Sequence, residues 1–180
     1  MFDLLKTAQA AKDAQYFLAA ADTKMKNTAL VNIAKALLEN ADYIIEKNET
    51  DIKNARAKNI SGAMCDRLLL TKERIKKIAE GVIKVSELDD PIGEIINTKK
   101  RPNGLYIGKK RVPIGVIGII YEARPNVTVD AAALCLKSSN AVILRGGSEA
   151  IETNMALIDI MRNALEKSNM DKDCICFVSD

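Results

Sequence analysis

The sequence predicts an α/β protein in which a helical first half leads into part of a parallel sheet. Three observations carry this. Apolar residues recur every three or four positions through most of the first 87 residues, the spacing of a buried helix face. Beyond Pro113 the order becomes strand, helix, strand, helix, strand, the rhythm of parallel strands joined by right-handed helical crossovers. Between them stands Asp89-Asp90-Pro91, where the helical period stops. The divisions fall at residues 1–88 (helical), 89–112 (an extended hairpin) and 113–180 (a partial sheet).

Leu4, Ala8, Ala11, Ala14, Leu18 and Ala21 lie on one narrow, small-residue face and predict a helix over 3–21. Asp22 and Thr23 offer capping side chains before the next pattern, Leu30, Ile33, Ala34, Leu37, Leu38, Ala41, Ile44 and Ile45. Asn40 is the expected interruption, and a polar helical stretch runs on to about Lys58. Ser61-Gly62 breaks the pattern, and Cys65 is expected to precede the next helix. Thr71 reads as the N-cap of that helix, with Leu70 and Ile75 as a hydrophobic staple. Glu94–Lys100 and Leu105–Val112 read as extended segments around the turn Arg101-Pro102-Asn103-Gly104. Gly115–Tyr121 is a continuous apolar run, the pattern of a strand covered on both faces. A helix over Val127–Ser138, a strand over Ala141–Leu144, a helix over Ser148–Lys167 and a strand over Asp173–Val178 complete the order. Three strands are few for a doubly wound sheet, and the expectation is a chain cut short of a further domain.

Composition narrows the function. A net charge of +3 over 180 residues argues against a nucleic-acid partner. The basic stretch at 99–111 lacks interleaved aromatics and reads as a solvated hairpin face. No apolar run is long enough to cross a bilayer, and Met1-Phe2-Asp3-Leu4-Leu5-Lys6 does not resemble a secretory signal, so a cytoplasmic protein is expected. The chain has no histidine, which removes serine–histidine and cysteine–histidine hydrolytic pairs. Cys65, Cys135, Cys174 and Cys176 include one C-x-C pair and no second pair; reduced, mostly buried thiols are expected, with no metal site.

In open parallel sheets ligands bind beyond the carboxyl ends of the strands. The first strand is followed by Tyr121-Glu122-Ala123-Arg124-Pro125-Asn126-Val127-Thr128. Two readings of Asn126 stand side by side: a helix N-cap, or a neutral amide donor to an oxyanion. The second strand is followed by Arg145-Gly146-Gly147-Ser148-Glu149-Ala150. The glycines permit close backbone approach, Ser148 is read as opening a helix whose N–H groups favour an anion, and Arg145 suits a phosphate. An ordinary strand-to-helix turn is the alternative.

The run from Val112 to Ala150 resembles the signature region of gamma-glutamyl phosphate reductases, within the aldehyde dehydrogenase superfamily. Arg124-Pro125-Asn126-Val127-Thr128 is its most specific part; Asp66-Arg67-Leu68-Leu69-Leu70-Thr71, Asp90-Pro91-Ile92-Gly93-Glu94 and Arg101-Pro102-Asn103-Gly104-Leu105 match upstream. The resemblance implies an aldehyde-dehydrogenase-like fold with a Rossmann-like nucleotide-binding sheet. It implies reduction of L-glutamyl 5-phosphate with NADPH to glutamate 5-semialdehyde, phosphate and NADP+, in proline biosynthesis. By the same resemblance Asn126 stabilises the oxyanion and Arg124 meets the substrate. Arg145, Gly146, Gly147, Ser148 and Glu149 bind the cofactor, with Arg145 facing the 2′-phosphate. The family's catalytic cysteine belongs to a downstream domain, so this chain alone is expected to be inactive; a homo-oligomer is expected of the full-length family member. A non-catalytic nucleotide- or partner-binding module on the same fold is the alternative.

Overall fold

The computed structural model describes residues 3–179; Met1, Phe2 and Asp180, at the outer edges of the segments 1–88 and 113–180, lie outside the described residues. Asp3 opens α1 (Leu4–Ala20) by accepting from the Lys6 amide, and Asp22 opens α2 (Thr23–Glu39) by accepting from the Met25 amide at 2.7 Å. Each carboxylate satisfies a donor that a first helical turn leaves orphaned. Asn40 departs from helical geometry (φ −105°, ψ 18°) and separates α2 from α3 (Ala41–Ala57), as the sequence leads one to expect.

A short α4 (Gly62–Leu68), capped by Ser61, is additional to the expected helices. It contains Cys65, which precedes α5 as expected but itself sits inside this additional helix. Only Leu68 of α4 is fully buried, so the segment carries no periodic signal. Thr71 caps α5 (Lys72–Glu87), accepting from the Arg74 amide at 3.2 Å, with Leu70 and Ile75 both buried.

β1 (Ile95–Lys100) and β2 (Tyr106–Lys110) form an antiparallel hairpin whose residues are all exposed, in accord with a solvated basic face. Its turn closes through Gly104 N–H to the Arg101 carbonyl at 2.9 Å, and Gly104 takes a φ of +87°. β3 (Val116–Ile120), α6 (Pro125–Lys137), β4 (Ala141–Arg145), a 3-10 turn (Ser148–Ala150), α7 (Ile151–Lys167) and β5 (Ile175–Phe177) follow. All three strands are parallel, in the order β3-β4-β5.

Among the differences from expectation are two boundaries and the covering of one strand. Ser148 begins a 3-10 turn, and the α-helix proper starts at Ile151. Cys174 belongs to a second 3-10 turn (Lys172–Cys174), which shortens β5. β3 is not covered on both faces: Ile117 and Ile119 pack on the core, but Ile120 is 81% exposed. The reason is placement, since β3 is the edge strand and α1 packs mostly on β4, leaving Gly118 and Ile120 exposed.

One apolar core runs through both halves, joining Leu30, Ile33 and Leu37 of α2 to Ile75 and Val82 of α5, Leu136 of α6, Leu144 of β4 and Leu157 of α7. Each such side chain contributes about 1.5–3 kcal/mol by leaving water. A buried polar bolt crosses the same region. Lys26 Nζ lies 2.6 Å from Asp90 Oδ2 and donates to Ser139 Oγ at 2.8 Å and to the Lys137 carbonyl at 3.2 Å. It ties α2 both to the end of α6 and to the segment that leads into the hairpin.

Candidate functional site at the strand ends

The turns after β3 and β4 lie side by side. Ile120 pairs with Arg145 in register, and the Tyr121 N–H donates to the Arg145 carbonyl at 3.1 Å. Arg145 is exposed at the carboxyl end of β4 and Ser148 is exposed beyond it; Gly147 and Glu149 are half-buried, and Gly146 is buried.

Both glycines sit against neighbouring groups, Gly146 most tightly. A Cβ on Gly146 would overlap Asn154 Nδ2 and lie 3.2 Å from two ring carbons of Tyr121. A Cβ on Gly147 would lie 2.6 Å from Glu149 Oε2 and 3.2 Å from the Ala123 nitrogen. Behind the turn runs a buried chain of polar groups. Thr128 Oγ1 donates to Asn154 Oδ1 at 2.7 Å, so Tyr121 Oη, 2.6 Å away, donates to Thr128. Asn154 Nδ2 is buried and has no hydrogen-bond partner among the described residues. Burial pushes the Tyr121 phenol upward, against the opposing effect of its bond to Thr128, so it stays a neutral donor.

The amino end of α7 is already occupied. Asp51 of α3 accepts from the Glu152 N–H at 3.3 Å, the Thr153 N–H at 2.8 Å and Thr153 Oγ1 at 2.6 Å. Burial raises the Asp51 carboxyl even though these three bonds favour its charge. Two of the N–H groups that this helix was expected to offer a ligand anion are thereby taken. An internal carboxylate holds the donors at 152 and 153, and the α-helix starts three residues later than Ser148.

The structure also decides how Asn126 sits. Arg124 is the N-cap of α6 and Pro125 its first residue, where a missing N–H costs nothing. Asn126 is therefore inside the first turn and is not the cap; its Nδ2 donates to Asp130 Oδ2 at 3.2 Å. Its side chain lines a groove of about 350 Å³ with Arg67, Arg74, Lys77, Leu70 and Asp130. None of Arg145 to Glu149 lines that groove. The candidate residues thus fall into two places: Arg145–Glu149 beside Tyr121 and Ala123, and Asn126 facing α4 and α5. Arg124 is exposed two residues before Asn126.

Three of the four thiols, Cys135, Cys174 and Cys176, are buried and not built as nucleophiles. Burial pushes Cys135 up to about 11 and, with nearby acidic groups adding to it, Cys174 up to about 12; Cys176 is also raised by burial. Thiols held protonated in this way do not attack carbonyls at neutral pH. Among the described residues no cluster of metal-ligating side chains occurs, and no helix is long and apolar enough to cross a membrane.

Asp51, Asn154, Arg74 and Lys77 were not singled out from sequence, and Thr128 and Arg67 stood there only within matched motifs, with no role of their own. Thr128, Thr153 and Asn154 do give a signal: they are polar residues on otherwise apolar helix faces, where a buried partner is required. Asp51 gives none, because α3 is polar along most of its length.

No protein-family model matches the chain. This architecture is that of the aldehyde dehydrogenases. It superposes on a propionaldehyde dehydrogenase from the Clostridium phytofermentans fucose utilisation microcompartment with a TM-score of 0.69 at 16% identity, covering 99% of this chain and 37% of that one. Within that fold, the chain matches the N-terminal portion of the gamma-glutamyl phosphate reductase family over its whole length. It is 53% identical over 180 residues to the gamma-glutamyl phosphate reductase of Caldicellulosiruptor saccharolyticus, covering 100% of this chain and 43% of that one. The crystal structure of gamma-glutamyl phosphate reductase from Thermotoga maritima gives a TM-score of 0.97 at 40% identity, covering 99% of this chain and 43% of that one. The chain thus spans about 43% of the length of these relatives.

Proposed function

We propose that this chain is the nucleotide-holding part of an NADPH-dependent reductase that acts on L-glutamyl 5-phosphate. In that reaction NADPH supplies a hydride to the acyl carbon, phosphate leaves, and glutamate 5-semialdehyde and NADP+ are formed. The observation that carries the reading is an exposed arginine at the carboxyl end of β4, followed by two glycines that fold against the neighbouring strand exit. Arg145 offers planar, charge-assisted hydrogen bonds to the 2′-phosphate of the adenosine ribose. Glu149, whose carboxylate lies beside the open space at Gly147, is assigned to the ribose hydroxyl, and Ser148 to the rim. Because Asp51 occupies the amino end of α7, this turn engages the ribose end of the nucleotide and not its pyrophosphate.

Asn126 is assigned to the oxyanion of the acyl group: its carboxamide carries two donor hydrogens, and Asp130 takes one. Arg124 is assigned to an anionic group of the substrate. Residues 1–88 form the helical part of the cofactor-binding domain, 89–112 the hairpin, and 113–180 the nucleotide-binding sheet. The partners are small molecules, the setting is cytoplasmic, and the longer family member assembles as a homo-oligomer. A second reading, a nucleotide-binding module without turnover of its own, is favoured by the protonated, buried thiols. Amide mapping by NMR during titration with NADPH tests the site. Perturbation centred on residues 145–149 and 121–124 is expected. Perturbation centred on the separate hollow lined by Ala10, Met155, Arg162 and Phe177 would displace it.

A further inference from the structure

We infer that the groove between α4, α5 and the first turn of α6 binds the α-amino acid headgroup of the substrate, carboxylate toward Arg67 and Lys77 and ammonium toward Asp130. The inference rests on the reductase reading and deepens it by assigning the recognition of the amino-acid end, which the strand-end turns leave unassigned.

The charge pattern comes first. Arg67, Arg74, Lys77 and Asp130 all line the groove. Arg74 is committed to α4: its guanidinium lies 2.9 Å from Asp66 Oδ1 and donates to the carbonyls of Asp66 and Leu69. It acts as a fixed wall. Arg67, Lys77 and Asp130 are different, since among the described residues none of them forms an ion pair. Opposite charges that share a groove without reaching each other suit a ligand that carries both. A bare dicarboxylate would set one anion against Asp130; an α-amino acid would not.

The remaining surfaces agree with this. Leu70 and Ile78, both nearly buried, supply an apolar floor on which methylene groups pack without leaving a polar atom unpaired. Asn126 stands in the same groove, so a substrate with its headgroup at the cations presents its distal acyl carbon to an amide donor. The volume of about 350 Å³ sits at the small end for ligand pockets and fits an amino acid better than a nucleotide. The Asp130 carboxyl is exposed and shares one oxygen with Asn126, so an ammonium partner can reach it from the groove.

Titration of the isotope-labelled chain with L-glutamate and with glutarate, read by amide shifts, tests the site. L-glutamate is expected to perturb residues 67–78 and 126–130, and Arg67→Ala and Lys77→Ala are each expected to weaken binding about tenfold by removing a charge-assisted contact. Glutarate, lacking the ammonium, is expected to bind about tenfold more weakly, and Asp130→Asn should abolish that discrimination. Both arginine and lysine are exposed, and a Lys77→Gln variant with an unchanged melting curve guards against a folding artefact. Equal affinity for glutarate, or shifts absent from the groove at saturating L-glutamate, would overturn the inference. NADPH is titrated separately on the same samples. If L-glutamate maps to the groove while NADPH does not bind, the reductase reading falls and the amino-acid site stands. If NADPH binds and L-glutamate does not, the reverse holds.

Discussion

Replacing Gly146 by alanine sets two effects against each other, and the structure says which wins. Gly146 does not have a positive φ, so its backbone accepts alanine. On entropy alone the change would stabilise the protein by about 0.4–1 kcal/mol through the unfolded chain. Space decides otherwise. The new methyl would overlap Asn154 Nδ2 and press on the Tyr121 ring at 3.2 Å, and Asn154 is fully buried, with its oxygen bonded to Thr128. Overpacking of this kind costs about 1–3 kcal/mol, so the net expectation is a loss of about 1–2 kcal/mol. Gly81, in the middle of α5, is the matched control: nothing lies within 4 Å of the place an added methyl would take, and alanine there should stabilise by about 0.5–1 kcal/mol. Urea denaturation followed by circular dichroism reads both as midpoint shifts at constant slope. A Gly146→Ala midpoint equal to or above wild type would refute the claim that the turn is packed against Asn154 and Tyr121.

Other perturbations have equally definite outcomes. Lys26→Met strands the Asp90 carboxylate and should cost about 3–5 kcal/mol, measured by the same denaturation. Burial alone would raise the Asp90 carboxyl, but its bonds to Lys26 and Thr23 outweigh that and hold it below the ordinary range. Its contribution is therefore complete above the unfolded aspartate value of about 3.9 and lost as pH falls through the lower folded value. Lys26→Met should flatten the stability profile in that acid window; an unchanged acid slope would contradict the pairing. For the thiols, a disulfide reagent at neutral pH should modify half-buried Cys65 first, and Cys135 and Cys174 only on unfolding. The chain by itself should likewise show no turnover with glutamate 5-semialdehyde; activity abolished by a Cys→Ser change at any of the four positions would contradict this.

Much of the fold was legible because burial and local chemistry agreed. The helical periods that run through Leu37 and through Val82, the carboxylate and threonine caps at Asp22 and Thr71, and the glycine in the 101–104 turn each specify local geometry without help from distant residues. What escaped was set by tertiary context. α4 is held by its Ser61 cap and by Arg74 reaching back to Asp66, neither of which leaves a periodic pattern. The bare face of β3 could not be read from an apolar run, which looks the same whether one face or two are covered. At the site, Arg145 and the glycines were visible as a motif, but the closure of the α7 amino end by Asp51, about a hundred positions earlier in the chain, was not. The misplaced cap at Asn126 has a local cause, since Pro125 takes the first helical position and moves the boundary back to Arg124.

The most direct measurement is isothermal titration of wild type and Arg145→Ala with NADPH and NADH. Glu149 would serve the ribose hydroxyl of NADH, whereas Arg145 favours the phosphate of NADPH; the exposed cation at the strand end is expected to dominate. Wild type should bind NADPH more tightly than NADH, by about tenfold for one charge-assisted contact, and Arg145→Ala should erase the difference. Equal affinities in wild type, unchanged by the substitution, would remove Arg145 from the nucleotide site.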